Sequence, residues 1–453
     1  MFSLKEIAKV TKGKLIAANK DAIVKGVSTD TRTISRGEIF IALKGERFNG
    51  HKFIKDAFKK SAAAVIASDK NIKISKGPII EVKNTRKALG AIASAYRRRF
   101  KLPIVAITGS NGKTTVKDMI AHILSKKYKI AKTPGTENNL IGISFSMLNI
   151  KNEECAVIEV GTNAQGEINE NAKILRPRVG IIINIGPAHL QGLKNLKNIL
   201  KEKSKLFNYI EKGGYAIINK DDVLLSSLKT KNKHLTFGIL NKKCDYRASK
   251  VVELDSGIEF ILNKYHKFTL PVFGIHNVYN ALAAIAACRT LGLDIKTCQQ
   301  ALSRFKPPNM RFNIRKQNGM NIINDAYNSN PLSMRAAMST LRSLKTKGRR
   351  IVAAADMLEL GNKSQRLHYK TGQMIAESGV DILITVGDLS KHMAKGARDS
   401  GMLDGNVMDF KKRKNAAACL NKLCRRGDTV LVKGSRRMKM EELIKCFTTS
   451  YIR

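Results

Sequence analysis

The chain has 453 residues, 43% hydrophobic and 26% charged, which at roughly 150 residues per domain predicts about three packed domains and excludes general disorder. No run approaches the roughly 18 apolar residues of a membrane span, the start carries no signal-like apolar stretch, and seven cysteines without a Cys-x-x-Cys pair argue against a disulfide scaffold or zinc ribbon and for a reducing, cytoplasmic setting. The net charge of +46 is spread along the chain, with excesses of +9 in 1–82, +21 in 83–309 and +16 in 310–453, so it reads as a solvated basic surface, and no stable nucleic-acid partner is expected.

Residues 1–82 carry no long apolar alternation and read as a small α+β module. The tight cluster Arg97-Arg98-Arg99 follows, and then Val105-Ala106-Ile107, a short buried strand. A glycine-rich turn leads into a helix over 116–125, where apolar residues at 116, 119, 120, 123 and 124 share one face. Further strands are expected at 157–160, 180–185 and 215–219, and apolar runs alternating with helical stretches predict a mostly parallel central sheet. The pattern breaks at Lys306-Pro307-Pro308-Asn309 and restarts with strands near 350–353, 382–386 and 429–432, a second α/β unit of Rossmann-like kind that also holds the cluster Lys411-Lys412-Arg413-Lys414. Trp is absent and aromatics are 6%, so base-stacking platforms are few. The expected division is 1–82, 83–309 and 310–453.

Thr108-Gly109-Ser110-Asn111-Gly112-Lys113-Thr114-Thr115 follows a strand and opens a helix, the context of a phosphate-binding loop. The glycines let backbone N–H groups approach phosphate oxygens, Lys113 neutralises the β- and γ-phosphates, Thr114 offers a hydroxyl to Mg²⁺, and the helix N-terminus adds a positive dipole end. The loop is a shortened variant, with Ile107 where the longer pattern has its first glycine.

With this loop the chain resembles the Mur ligase superfamily, ATP-dependent enzymes of amide-bond formation. Other segments carry the same resemblance: Glu159-Val160-Gly161-Thr162-Asn163-Ala164-Gln165-Gly166-Glu167-Ile168, Ala188-His189-Leu190, and Gly274-Ile275-His276-Asn277-Val278-Tyr279-Asn280-Ala281-Leu282-Ala283, which opens an Ala-rich helix. Asn324-Asp325-Ala326-Tyr327-Asn328-Ser329-Asn330-Pro331, Asp356-Met357-Leu358-Glu359-Leu360-Gly361 with His368, and Lys433-Gly434-Ser435-Arg436 are similar to the branch that joins D-alanyl-D-alanine to a UDP-N-acetylmuramoyl-tripeptide for peptidoglycan synthesis. Ser28-Thr29-Asp30-Thr31-Arg32 and Phe40 to Gly45 resemble that branch's UDP-sugar segments.

The resemblance implies ATP and Mg²⁺, an acyl-phosphate intermediate, and a cytoplasmic monomer. It implies Lys113, Glu159, His189 and Lys203 as catalytic residues, with Thr114, Glu159, His189 and Lys203 as the metal ligands, Lys203 as its CO₂-derived carbamate. The loop 108–115 with His276, Asn277, Arg311 and Asp325 would hold ATP. Ser28, Thr29, Asp30, Thr162, Asn163, Tyr327, Asn328, Lys433 and Ser435 would serve the peptide substrates. Lys205 is expected on the far side of Lys203's helix, without consequence of its own. Departures from the family pattern are Asn49 for an acid, Lys205 for an acid, Ala355 for a glycine, and Asn309-Met310 before Arg311. A sibling ligase is the alternative, but the Asp-Asn-Pro-Arg segment of the diaminopimelate- or lysine-adding enzymes is absent, and folylpolyglutamate synthases lack the 1–82 module. A basic nucleic-acid-binding protein is the remaining alternative.

Overall fold

The computed structural model describes residues 2–16, 20–45, 48–68 and 77–449. They form sheets of two, five, nine and six strands. The five-stranded sheet runs Lys14–Ile16, Ile79–Glu81, Ala64–Ala67, Glu38–Ile41 and Gly26–Ser28; the first pair is antiparallel and the rest parallel. Alternate residues serve two cores, as a pleated strand requires: Ile39 and Ile41 join the main core, while Phe40 and Ala42 join a smaller one with Ile54 and Val65. These strands are only three or four residues long, too short for alternation to register in the sequence. The preceding helix Leu4–Thr11 is started by a Ser3–Glu6 capping box.

Helix Thr85–Arg97 sends Leu89, Ile92 and Ala93 into the core shared with both the first sheet and the central one. Its last residue departs from the solvated reading of the arginine cluster. Arg97 is buried and donates to the carbonyls of Leu175, Phe100 and Leu102, fastening the helix to the central unit.

In the nine-stranded sheet, Ile104–Thr108 lies between Cys155–Glu159 and Val179–Ile182, parallel to both. The register pairs Ile107 with Glu159 and Thr108 with Ile182, so the loop after Thr108 and the Glu159 carboxylate emerge at one carboxyl edge, where open α/β sheets bind ligands. Tyr215–Asn219, Lys233–Gly238 and Tyr246–Leu254 extend the parallel part, and Gly257–Leu262 and His266–Leu270 close it antiparallel. The six-stranded sheet runs Asn313–Gln317, Met320–Asp325, Thr429–Lys433, Arg350–Ala355, Ile382–Val386 and Val407–Phe410, antiparallel at the first pair and parallel after it. Asp325 and Lys433 are register partners at their strand ends. No helix among the described residues is long and apolar enough to cross a membrane.

Candidate active site

The helix Lys113–Leu124 begins at Gly112, whose φ of +85° suits glycine, and it has no side-chain cap. A Cβ there would stand 2.5 Å from Asn280 Oδ1. The first-turn N–H groups are therefore left for an anion. Ser110 Oγ donates to Gly186 O at 3.0 Å and accepts from Gly186 N–H at 2.8 Å, which fixes the loop to the connection after the neighbouring strand. Lys113 Nζ donates to Gly109 O at 3.0 Å. Burial holds its pKa down, against the opposing pull of Glu159.

Thr114 Oγ1 donates to Glu159 Oε2 at 2.8 Å, and Asn138 Nδ2 donates to Oε1 at 2.7 Å. Both Glu159 oxygens are thus oriented from opposite sides, and Arg311 Nη2 stands 3.4 Å from Thr114 Oγ1. Among the described residues there is no cluster of three or more His, Cys, Asp or Glu side chains able to hold a metal. The Thr114 hydroxyl and Glu159 carboxylate, two hard oxygen donors in contact, fit Mg²⁺ completed by phosphate and water oxygens rather than a protein cage.

Lys203 is buried at the end of helix Leu196–Ser204, and its Nζ donates to Gly109 O at 3.1 Å. It sits beneath the loop and does not line the cavity. Burial and then the adjacent Lys113 charge push its pKa well below that of an ordinary lysine. Lys205 differs from expectation: it begins a 3-10 turn, and its Nζ pairs with buried Glu202 Oε2 at 2.7 Å. Glu202 Oε1 meanwhile accepts the N–H groups of Gly166 and Ile168 at the start of helix Glu167–Leu175. The lysine is one partner of a buried carboxylate, so it is not an inert neighbour.

The third unit reaches across the cleft. Arg311 lies over the Tyr327 ring at 3.9 Å, and Tyr327 OH donates to Thr136 Oγ1 at 2.5 Å. The amides of Asn330 and Asn111 face one another at 2.8 and 3.2 Å. Lys433 Nζ donates to Asp325 Oδ2 at 2.6 Å and to Asn328 O at 3.1 Å. His189, at φ +55°, places Nδ1 2.8 Å from Glu359 Oε2, a contact that holds the Glu359 carboxyl below its usual range.

These groups enclose a cavity of about 520 Å³ at the meeting of the central and third sheets. It is lined by Ser110 to Thr115, Glu159, His189, His276, Asn277, Arg311, Asp325, Tyr327, Asn328 and Lys433, but not by Ser28, Thr29, Asp30, Thr162, Asn163 or Ser435. Asp30 is held by Arg32, which lowers its pKa to about 2. Thr162 Oγ1 donates to Ala164 O, and the Asn163 N–H donates to Glu167. Ser435 Oγ accepts the N–H of Leu358. Asn277 lies inside helix Ile275–Thr290, capped by Gly274, and its amide bridges Phe273 O and Asn280. Burial pushes the pKa of His276 down to about 4.

Sequence reasoning missed Asn138 and Thr136, neutral side chains with no motif of their own, and it gave no role to Asn280 and Asn330, although both stand in segments that carry the family resemblance. It also passed over Lys117, one turn beyond Lys113 on a buried helix face. Lys117 Nζ donates to Thr133 O at 3.1 Å and Gly135 O at 2.7 Å, pinning the segment that carries Thr136 and Asn138. A lysine amid the apolar positions of that helix was the available signal. Two departures from the family pattern have local explanations. Asn49 Oδ1 accepts the His51 N–H at 3.1 Å, as an acid there could. Met310 stands at φ +58°, a left-handed conformation natural to the glycine it replaces.

The Mur ligase family, catalytic domain, matches residues 23–97; the Mur ligase middle domain matches 107–288; and the Mur ligase, glutamate ligase domain, matches 310–436. The chain is 36% identical to the UDP-N-acetylmuramoyl-tripeptide–D-alanyl-D-alanine ligase of Bacillus subtilis, covering 98% of this chain and 97% of that one. It is 33% identical to the protein of the same name from Escherichia coli, over 98% and 97%. Its fold is similar to MurF from Acinetobacter baumannii, with TM-score 0.90 at 29% identity over 99% of both chains. It is also similar to MurF ligase from Thermotoga maritima in complex with ADP, with TM-score 0.85 at 25% identity over 95% and 99%.

Proposed function

The chain belongs to the Mur ligase family, and from that premise we infer that it is an ATP-dependent, ADP-forming ligase that adds D-alanyl-D-alanine to UDP-N-acetylmuramoyl-tripeptide in peptidoglycan synthesis. The observation that carries this reading is the phosphate loop opening directly onto the Thr114–Glu159 pair, with Arg311 of the third unit against the Thr114 hydroxyl. A carboxylate is a poor electrophile. Transfer of the γ-phosphoryl group makes it an acyl phosphate and releases ADP. The neutral dipeptide amine then attacks the acyl carbon, phosphate leaves with the C–O bonding pair, and the nitrogen gives up its extra proton to phosphate or water.

Lys113, the loop N–H groups and Arg311 meet the charge that develops on the transferring phosphoryl group. Mg²⁺, held by Thr114 and Glu159, supplies further charge neutralisation when bound. His189 faces the same cavity, and we assign it to the metal or to the acyl phosphate. For Lys203 we propose the carbamate. CO₂ adds only to a neutral amine, and burial beside Lys113 favours that form. Asp325 and His276 are assigned to the nucleotide, with Tyr327, Asn328 and Lys433 closer to the peptide substrates. We propose residues 1–82 as the UDP-sugar unit, with Ser28, Thr29 and Asp30 at its strand end, 83–309 as the ATP unit and 310–453 as the closing ligase unit, in a cytoplasmic monomer.

The test is phosphate release with ATP, Mg²⁺ and UDP-N-acetylmuramoyl-tripeptide, with and without D-alanyl-D-alanine. Release that depends on the dipeptide supports the assignment. Release with a free amino acid in its place, and none with the dipeptide, overturns it in favour of a sibling activity.

A further inference from the structure

The amine acceptor arrives as an ammonium and must be held within reach of the acyl carbon before it loses a proton to water and attacks as the neutral amine. A carboxylate is the natural host for such a group. Among the described residues, five carboxylates line the cavity: Glu159, Asp221, Asp222, Asp325 and Glu359. Four are already committed. Glu159 is bonded on both oxygens by Thr114 and Asn138. Asp221 accepts the N–H groups of Ile239, Leu240 and Asn241 and the hydroxyl of Tyr279. Asp222 accepts the N–H groups of Ile185, Leu224 and Leu225. Asp325 holds the Phe312 N–H and the Lys433 ammonium.

Glu359 is different. Among the described residues its one hydrogen-bond or ion-pair contact through the side chain is His189, at Oε2, and its side chain is 44% exposed. Its backbone is fixed all the same. The carbonyl accepts the Gln191 N–H at 3.1 Å, φ is +66°, and the preceding Leu358 N–H is held by Ser435 Oγ at 2.8 Å. Met357 N–H donates to buried His368 Nε2 at 2.9 Å, so the segment is clamped from both sides. A rigid backbone therefore presents one carboxylate, with an open oxygen, beside a histidine of the central unit.

We propose that Glu359 is the anchor for the ammonium of the acceptor dipeptide. This rests on the substrate assignment above. It adds that the third unit brings its own acid to the central unit's histidine, so the acceptor pocket is complete only when the two units meet. An acceptor with a free amino terminus is selected over an acylated one, because a neutral amide leaves the carboxylate unpaired.

Steady-state kinetics of Glu359→Gln and Glu359→Asp test this. Glu359→Gln keeps the shape and removes the charge. It should raise the KM for D-alanyl-D-alanine about ten- to hundredfold, the worth of one charge-assisted hydrogen bond, while the KM values for ATP and UDP-tripeptide stay within about twofold. Glu359→Asp should recover most of the loss. A dipeptide KM unchanged in Glu359→Gln overturns the inference, and so does a rise in all three KM values together, which marks a structural role. The wild-type assay run alongside separates this from the substrate assignment: dipeptide-dependent phosphate release by wild type upholds that assignment whichever way Glu359 falls.

Discussion

Lys203 and Lys113 place their ammonium nitrogens on the same carbonyl oxygen, that of Gly109, at 3.1 and 3.0 Å. Two like charges converging on one buried acceptor repel, and the more deeply enclosed amine is the one driven toward neutrality. The sequence shows these lysines on separate elements, and their shared acceptor is a product of the sheet order.

Lys203→Ala should be almost inactive, and short carboxylates in the buffer should restore part of the activity by filling the vacated anion position. Assays in degassed, bicarbonate-depleted buffer should show a matching loss in the wild type. Full activity of Lys203→Ala would remove the carbamate from the mechanism.

Lys205→Ala should cost about 1–3 kcal/mol of stability, because Glu202 is left buried with one oxygen unpaired. Urea denaturation measures this. The catalytic rate of the folded variant should change much less than in Lys203→Ala.

Lys113→Ala should lose roughly 10²–10³ in turnover, about 3–4 kcal/mol of transition-state stabilisation, the usual consequence of deleting one preorganised donor. Its melting temperature should stay close to that of the wild type. Near-normal turnover would place phosphoryl transfer elsewhere.

Lys117→Met should raise the Mg²⁺ concentration needed for half-maximal activity by about tenfold, since it frees the segment whose Asn138 orients Glu159. A magnesium titration at saturating ATP reads this directly. A loss of thermal stability with an unchanged magnesium midpoint would confine Lys117 to packing.

His276 bears on acid stability. Its folded pKa, about 4, lies below the ordinary histidine value of 6.5. Above pH 6.5 it is neutral in both states and contributes no pH dependence. As pH falls from 6.5 to 4 the unfolded chain binds the proton first, so stability declines, and the decline levels off below 4. The loss should be up to about 3 kcal/mol. His276→Asn should flatten this limb when unfolding free energies at pH 7 and pH 4.5 are compared.

The sequence by itself determined the phosphate loop, its strand and helix, and the longer buried strands, because those features are local. A glycine at left-handed φ, a lysine after it and an apolar run each act within a few residues. It also pointed to Glu159 and His189 through the short segments that carry them. The tertiary structure decided what touches what. Parallel register brings Glu159 beside the loop, and strand pairing sets Asp325 against Lys433. Folding turned Lys205 from a presumed bystander into the partner of Glu202, and Arg97 from surface charge into a buried fastening. Asn138 reaches Glu159, Asn330 reaches Asn111 and Glu359 reaches His189 across long chain separations. Their chemistry is that of any polar side chain until packing removes water and sets each against a distant partner, and no local pattern encodes those pairings.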